Sequence, residues 1–299
     1  MKKGFLVIEN KEKPNEYFTF EGEWISGEAK AGEVVFNTSH SGFEEMATDP
    51  SYFTQILVCT GSQQGNYGAD PKVWESGKVH IQGFVALEVQ NTEREQSWID
   101  VLTKNKVPIL HKVDTRTITL TLRKGTPWGA LVPAKNADEA IAAAKTLIAK
   151  TQNIENDWPY LVSVKQKQTR KGAAKNGLRI AMIDYGVKEN ILRETLAHVE
   201  EVCLFPSRTP AKDILAYNPN GVVLSNGPGD PAQVEMSVET IRELLGKKPI
   251  FGICMGHQLL ALALGAKTYK LKFGHRGANH PIKDTIANKI YMTSQNHGY

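Results

Sequence analysis

Cysteine is scarce in this sequence: Cys59, Cys203 and Cys254 are the only three in 299 residues. An odd number, widely spaced and without a CxxC pair, argues against a disulfide framework or a structural zinc site. It fits a reducing, cytoplasmic setting. Charge of one sign is also scarce. The 36 lysines and arginines are nearly balanced by 32 acids, leaving a formal charge of +4, and the signs are interspersed, so no nucleic-acid partner is expected. No apolar run approaches the ~20 residues of a membrane span, and the run Phe5–Ile8 is far too short for a signal peptide. A membrane partner is therefore not expected either. No P-loop or other nucleotide fingerprint is present. What remains, 41% hydrophobic and 23% charged, is an ordinary globular balance. The length suits roughly two domains, with a core large enough to need no staple.

The two halves read differently. In the first, short apolar or β-branched runs (Gly4–Ile8, Val34–Asn37, Gln55–Thr60, Gly83–Val89) are punctuated by Gly, Pro, Asn or Ser, the signature of strands and turns. Helical pattern comes late, over Ala137–Lys150, with Asn136 as N-cap, acids in the first turn and Lys150 at the end. Lys165, Lys167, Arg170, Lys171 and Lys175 then mark a basic, solvated linker. From Leu178 strand and helix alternate four times, which argues for a parallel, doubly wound sheet. The expected class is α/β: a mixed, mostly-β domain over residues 1–160, a basic linker over 161–177, and a mainly parallel, doubly wound α/β domain over 178–299. Ligands of such sheets bind at the carboxyl ends of the strands.

The most informative segment is Pro249–Gln258. Gly252-Ile-Cys254-Met-Gly256 has the form G-x-nucleophile-x-G, placed between an apolar strand and a helix. A nucleophile on so tight a strand-to-helix turn needs glycine on both sides, because a side chain there meets neighbouring elements. The turn lifts the sulfur into the cleft, and the helix N-terminus favours the thiolate. Met255 follows directly, so its backbone N–H is placed to bind an oxyanion. The previous strand ends in Ser225-Asn-Gly-Pro-Gly-Asp-Pro231. This Gly-rich loop can supply the second N–H.

Gly252–Gln258, reading GICMGHQ, resembles the nucleophile motif of class I (triad-type) glutamine amidotransferases. SNGPGDP at 225–231, KFGHRGANHP at 272–281 and SQNHGY at 294–299 are similar to the carbamoyl phosphate synthase branch of that family. So are EVVFNTS at 33–39 and TDPSY at 48–52. The similarity spans nearly the whole chain. It implies that Cys254 forms a glutamyl thioester and that the Gly227 and Met255 N–H groups hold the oxyanion. Gln258 lies one helical turn beyond Cys254. It would help hold the amino-acid end of L-glutamine together with Ser39, Gly229, Asn296, Gly298 and Tyr299, the substrate set being completed by Gly227 and Met255. No metal or cofactor is implied for this chain. ATP, magnesium and hydrogencarbonate are expected on a large-subunit partner, to which ammonia is channelled.

The resemblance also implies a His-x-Glu pair well downstream of Asn-His-Gly, the base that moves protons for the cysteine. The sequence stops at Tyr299 before that point, so it is expected to be a C-terminally incomplete piece. His257, His275, His280 and His297 are poor substitutes, the last three expected in loops. Thr60–Gln64 departs from the branch, which often carries an aromatic-Pro-His step there. Two other readings stand beside this one: an amidotransferase serving anthranilate, guanylate or imidazole synthesis, and a non-catalytic binding or regulatory subunit lacking the base.

Overall fold

The computed structural model describes residues 2–125, 127–152, 157–175 and 177–299. They divide into two compact units. The first comprises Met1–Thr48, Thr54–Ile154 and Lys270–Gly298, and the second Asp49–Phe53, Glu155–Tyr269 and Tyr299.

The first unit is built on strands β1 (Lys2–Glu9), β2 (Tyr17–Ser26), β3 (Lys30–Asn37), β4 (Gln55–Cys59), β5 (Gln63–Gln64), β6 (Gly83–Val85), β7 (Glu88–Val89), β8 (Ile109–His111) and β9 (Trp128–Pro133). Seven of them close a barrel in the order β1-β2-β8-β6-β4-β3-β9, while β5 and β7 pair separately. Strand period explains β1. Leu6 and Ile8 point into the barrel, and Phe5 and Val7 point out against a helix, so an unbroken apolar run fills two faces. That helix is α4 (Ala137–Gln152), which follows α1 (Phe43–Thr48), α2 (Trp98–Lys104) and α3 (Thr115–Leu122). Asn136 caps α4 as expected, its Oδ1 accepting the Glu139 N–H at 2.9 Å. The three earlier helices were not legible. Thr-Arg-Thr-Ile-Thr-Leu-Thr-Leu, the sequence of α3, is rich in β-branched residues that favour strands. Asp114 caps it by accepting the Thr117 N–H at 2.9 Å, and Ile118 and Leu122, four residues apart, enter the barrel core.

The second unit holds α5 (Trp158–Val162), β10 (Gln168–Lys171), β11 (Arg179–Asp184), α6 (Glu189–His198), β12 (Glu201–Pro206), α7 (Ala211–Ala216), β13 (Gly221–Leu224), α8 (Glu235–Leu244), β14 (Ile250–Gly252) and α9 (Met255–Ala263). The sheet order is β10-β12-β11-β13-β14. All neighbours are parallel except β10, which runs antiparallel to β12. Ala181, Ile183, Cys203 and Phe205 pack on one face with α7, α8 and α9, while Met182, Val202 and Leu204 pack on the other with α6. The doubly wound expectation is met. Part of the basic stretch is not linker but edge strand: Arg170 pairs with Glu189 at 3.1 Å and Lys171 with Glu201 at 2.5 Å.

The chain then returns to the first unit as the antiparallel pair β15 (His275–Asp284) and β16 (Lys289–His297), with a register shift between Gly277 and His280. His275, His280 and His297 therefore lie on strands, not in loops, and Asn296 lies on the same pair. Their polar sequence has no apolar alternation, and cross-strand pairing makes them extended. Among the described residues no helix is long and apolar enough to cross a membrane.

Candidate active site

In the second unit, β11, β13 and β14 are parallel, so Tyr185–Lys188, Ser225–Asp230 and Ile253–Cys254 all leave the same end of the sheet. This is where open α/β sheets take ligands. Cys254 has φ 51° and ψ −109°, a conformation that side chains rarely adopt and that is retained only where surroundings enforce it. Its flanking glycines show the enforcement. A Cβ on Gly256 would stand 2.2 Å from the Leu224 carbonyl oxygen, and one on Gly252 would stand 2.6 Å from the His257 nitrogen. The elbow is tied to the preceding strand by Ile253 N–H to Leu224 O at 2.9 Å and Gly256 N–H to Ser225 O at 2.9 Å. Cys254 occupies the N-cap of α9, yet its side chain makes no capping hydrogen bond. The N–H of Met255 opens the helix and has no intrahelical acceptor.

Accessibility separates the three thiols. Cys59 and Cys203 are buried, whereas Cys254 is half-buried. Burial pushes the Cys59 thiol up to about 12 and raises that of Cys203, so neither forms a thiolate at neutral pH.

The Gly-rich loop is held more firmly than its composition suggests. Ser225 is fully buried; its Oγ accepts the Tyr185 N–H at 2.9 Å and donates to the Asn226 carbonyl at 2.9 Å. Asn226 Nδ2 donates to Gly186 O at 2.9 Å and Ser51 Oγ at 3.0 Å, and its Oδ1 accepts the Lys188 N–H at 3.1 Å. Gly227 lies so close to the β11 loop that a Cβ there would be 2.2 Å from the Tyr185 carbonyl oxygen. Gly229, at φ +92°, stacks over Trp158 with a notional Cβ at 3.4 Å. Asp184 in turn shapes the β11 loop: Oδ1 accepts the N–H groups of Gly186 and Val187, both at 2.8 Å, and Oδ2 that of Val164 at 2.8 Å. Asp184, Ser225 and Asn226 were missed as site-builders. Their sequence signal is position at strand ends and, for Ser225 and Asn226, membership of the SNGPGDP motif.

Gln258 sits one turn into α9, its N–H on the Cys254 carbonyl at 3.0 Å and its Nε2 donating to the Tyr299 carbonyl at 2.8 Å. The second unit thus places Gly227, Gly229, Cys254 and Met255 at one end of its sheet and hydrogen-bonds Gln258 to Cys254 and Tyr299. The first unit brings together Ser39, Asn296 and Gly298. Thr38 N–H reaches Arg276 O at 3.2 Å, and Arg276 pairs with Asn296. His257 is exposed. His275 Nδ1 lies 3.0 Å from Gln295 Oε1 and 3.3 Å from His297 Nε2.

Residues 15–132 match the family model for the carbamoyl-phosphate synthase small chain, CPSase domain, and residues 181–299 match that for glutamine amidotransferase class-I. The carbamoyl phosphate synthase small chain of Methanopyrus kandleri is 44% identical over 277 residues, 90% of this chain and 75% of that protein. That of Listeria monocytogenes is 42% identical over 306 residues, 100% of this chain and 80% of that protein. The chain belongs to the carbamoyl phosphate synthase small chain family. The match over residues 15–132 removes support for the anthranilate, guanylate and imidazole alternatives, and membership of this small-chain family implies a large-chain partner. The small chain of Fusobacterium nucleatum, 43% identical over 274 residues, 90% of this chain and 74% of that protein, agrees.

Proposed function

We propose that this chain is the glutaminase of the synthase, releasing ammonia from L-glutamine through a thioester on Cys254. The supporting observation is the strained elbow: a half-buried cysteine at φ 51° on the strand-to-helix turn, with a glycine on each side where a Cβ would clash. The Cys254 sulfur, as thiolate, attacks the side-chain amide carbon of glutamine. The carbonyl oxygen becomes an oxyanion that the N–H groups of Met255 and Gly227 stabilise. Collapse of the adduct breaks the C–N bond; the departing nitrogen takes up a proton and leaves as ammonia. Water then attacks the thioester, releasing glutamate and restoring the sulfur. The proton carrier that the resemblance implies is a His-x-Glu pair acting as base and its orienter. The groups that the resemblance assigns to the amino-acid end are Gly229, Gln258 and Tyr299 within the second unit and Ser39, Asn296 and Gly298 within the first. Ammonia passes to the large chain, which uses ATP, magnesium and hydrogencarbonate to form carbamoyl phosphate.

Assay of the assembled complex tests this. Cys254→Ser is expected to lower glutamine-dependent carbamoyl phosphate formation by at least about a thousandfold and to leave synthesis from free ammonia intact. Unchanged glutamine-dependent synthesis overturns the reading.

A further inference from the structure

We propose that Arg276 is a positioning residue. It holds together the two segments of the first unit expected to grip the amino-acid end of glutamine, the Ser39 loop and the Asn296–Gly298 end of β16. The inference rests on the glutaminase reading above.

The backbone of Arg276 joins the two segments. It stands opposite Asn296 in the β15–β16 ladder. Its carbonyl oxygen accepts the Thr38 N–H at 3.2 Å, and the Thr38 hydroxyl is shared between that oxygen at 3.3 Å and Asn279 Oδ1 on the same strand at 3.0 Å. Thr38 directly precedes Ser39, whose own N–H is fixed on Asn37 Oδ1 at 2.7 Å. The side chain supports the same turn from beneath. Arg276 is only 5% exposed, and Nη1 donates to the Phe273 carbonyl at 2.9 Å. A Cβ on Gly274 would stand 2.5 Å from Nη1, and one on Gly298 would stand 3.3 Å from Nη2. The planar guanidinium therefore runs against the backbone of both glycines, a fit that a flexible ammonium does not reproduce. Gly298 is further fixed by the Leu271 N–H on its carbonyl at 2.8 Å.

The charge is matched inside the unit. Glu33 on β3 is almost fully buried, is hydrogen-bonded by Lys270 and by Gln55 Nε2, and has its carboxylate stabilised by Lys270 and Arg276. The Nε–H of Arg276, by contrast, is buried with no acceptor among the described residues. An unmatched buried donor lowers stability, so packing alone is a poor reason for arginine here. Holding two binding segments in register is a better one, because recognition of a zwitterion by fixed polar groups tolerates only small displacements.

The test uses the full chain assembled with its large-chain partner. Two quantities are measured for wild type, Arg276→Met and Arg276→Lys. One is the rate at which iodoacetamide, which has no amino-acid end, alkylates Cys254. The other is the glutamine concentration that halves that rate. Arg276→Met is expected to raise the half-protecting concentration about tenfold or more, with the alkylation rate within about twofold of wild type and partial recovery in Arg276→Lys. Protection of wild type together with an unchanged half-protecting concentration in Arg276→Met overturns the proposal and leaves the glutaminase reading standing. Absence of glutamine protection in wild type overturns both. Should Arg276→Met fail to fold, Thr38→Val is measured in its place. It is expected to raise the concentration about threefold by loosening the same joint, and no rise there overturns the proposal equally.

Discussion

Cys254 is an ordinary residue in an improbable conformation. A positive φ at a non-glycine position costs on the order of 1–3 kcal/mol, and the surrounding contacts hold it there: two backbone hydrogen bonds to β13 and its loop, and glycines where neighbours leave no room for a Cβ. The glycines are therefore as much part of the nucleophile as the sulfur. Gly256→Ala would push a methyl against the Leu224 carbonyl, a backbone atom at 2.2 Å that cannot rotate away. The expected result is a loss of about 3 kcal/mol or more in unfolding free energy, read by denaturant titration. The relevant comparison is Gly246→Ala, at a glycine whose notional Cβ meets nothing within 4 Å, though its φ of +74° adds a modest strain. The Gly256 variant should be much the less stable.

At the scale of elements, three loops at one end of the second unit's sheet are stitched to each other rather than left to their own turn chemistry. Asn226 carries most of the stitching, contacting Ser51, Gly186 and Lys188. Asn226→Ala removes the donor for three acceptors, on Asp49, Ser51 and Gly186, and the acceptor for one N–H, in a residue 3% exposed. An expected destabilisation of about 2–3 kcal/mol follows. Because Gly227 is the next residue, glutamine turnover should fall about tenfold or more, while iodoacetamide still alkylates Cys254 at a rate close to that of wild type. Turnover equal to wild type would show that the loop needs no such anchor. The sequence showed this loop as a Gly-rich motif able to supply an N–H, but not what holds it in place. Its anchoring depends on Ser51 and Gly186, distant in sequence, and no local pattern reports them.

For the molecule as a whole, the buried charge of Glu33 links folding of the first unit to pH. Burial alone raises its carboxyl, but the charges of Lys270 and Arg276 and the hydrogen bonds from Lys270 and Gln55 outweigh it and hold the group below the usual range. A group depressed in the folded state stabilises fully above its unfolded value, near 4.3 for glutamate, and loses that contribution as pH falls through the folded value. Glu33→Gln is therefore expected to lower stability at pH 7 by about 2–3 kcal/mol. That lies below the usual cost of breaking a buried pair, because Lys270 is partly exposed and screened. The deficit should shrink as pH drops below about 4. Unfolding midpoints of wild type and variant between pH 3 and pH 7 check the sign; a deficit that stays constant with pH would exclude the linkage.

The sequence by itself determined the things that local chemistry and period control. The parallel alternation of the second half, the cap of α4 and the glycine-flanked cysteine between strand and helix were all legible, because each needs only residues close in the chain. The motifs around Cys254 and in the first half were enough to point to the family. Tertiary structure alone decided the rest. Closure of seven strands into a barrel depends on pairings between segments far apart, and α3 became a helix against its own β-branched composition because Asp114 caps it and the barrel buries Ile118 and Leu122. The polar residues from His275 to His297 became strands through each other, and Arg276 acquired its place only when β15, β16 and the end of β3 met. Such assignments rest on long-range contacts, whose free energy no short window of sequence contains.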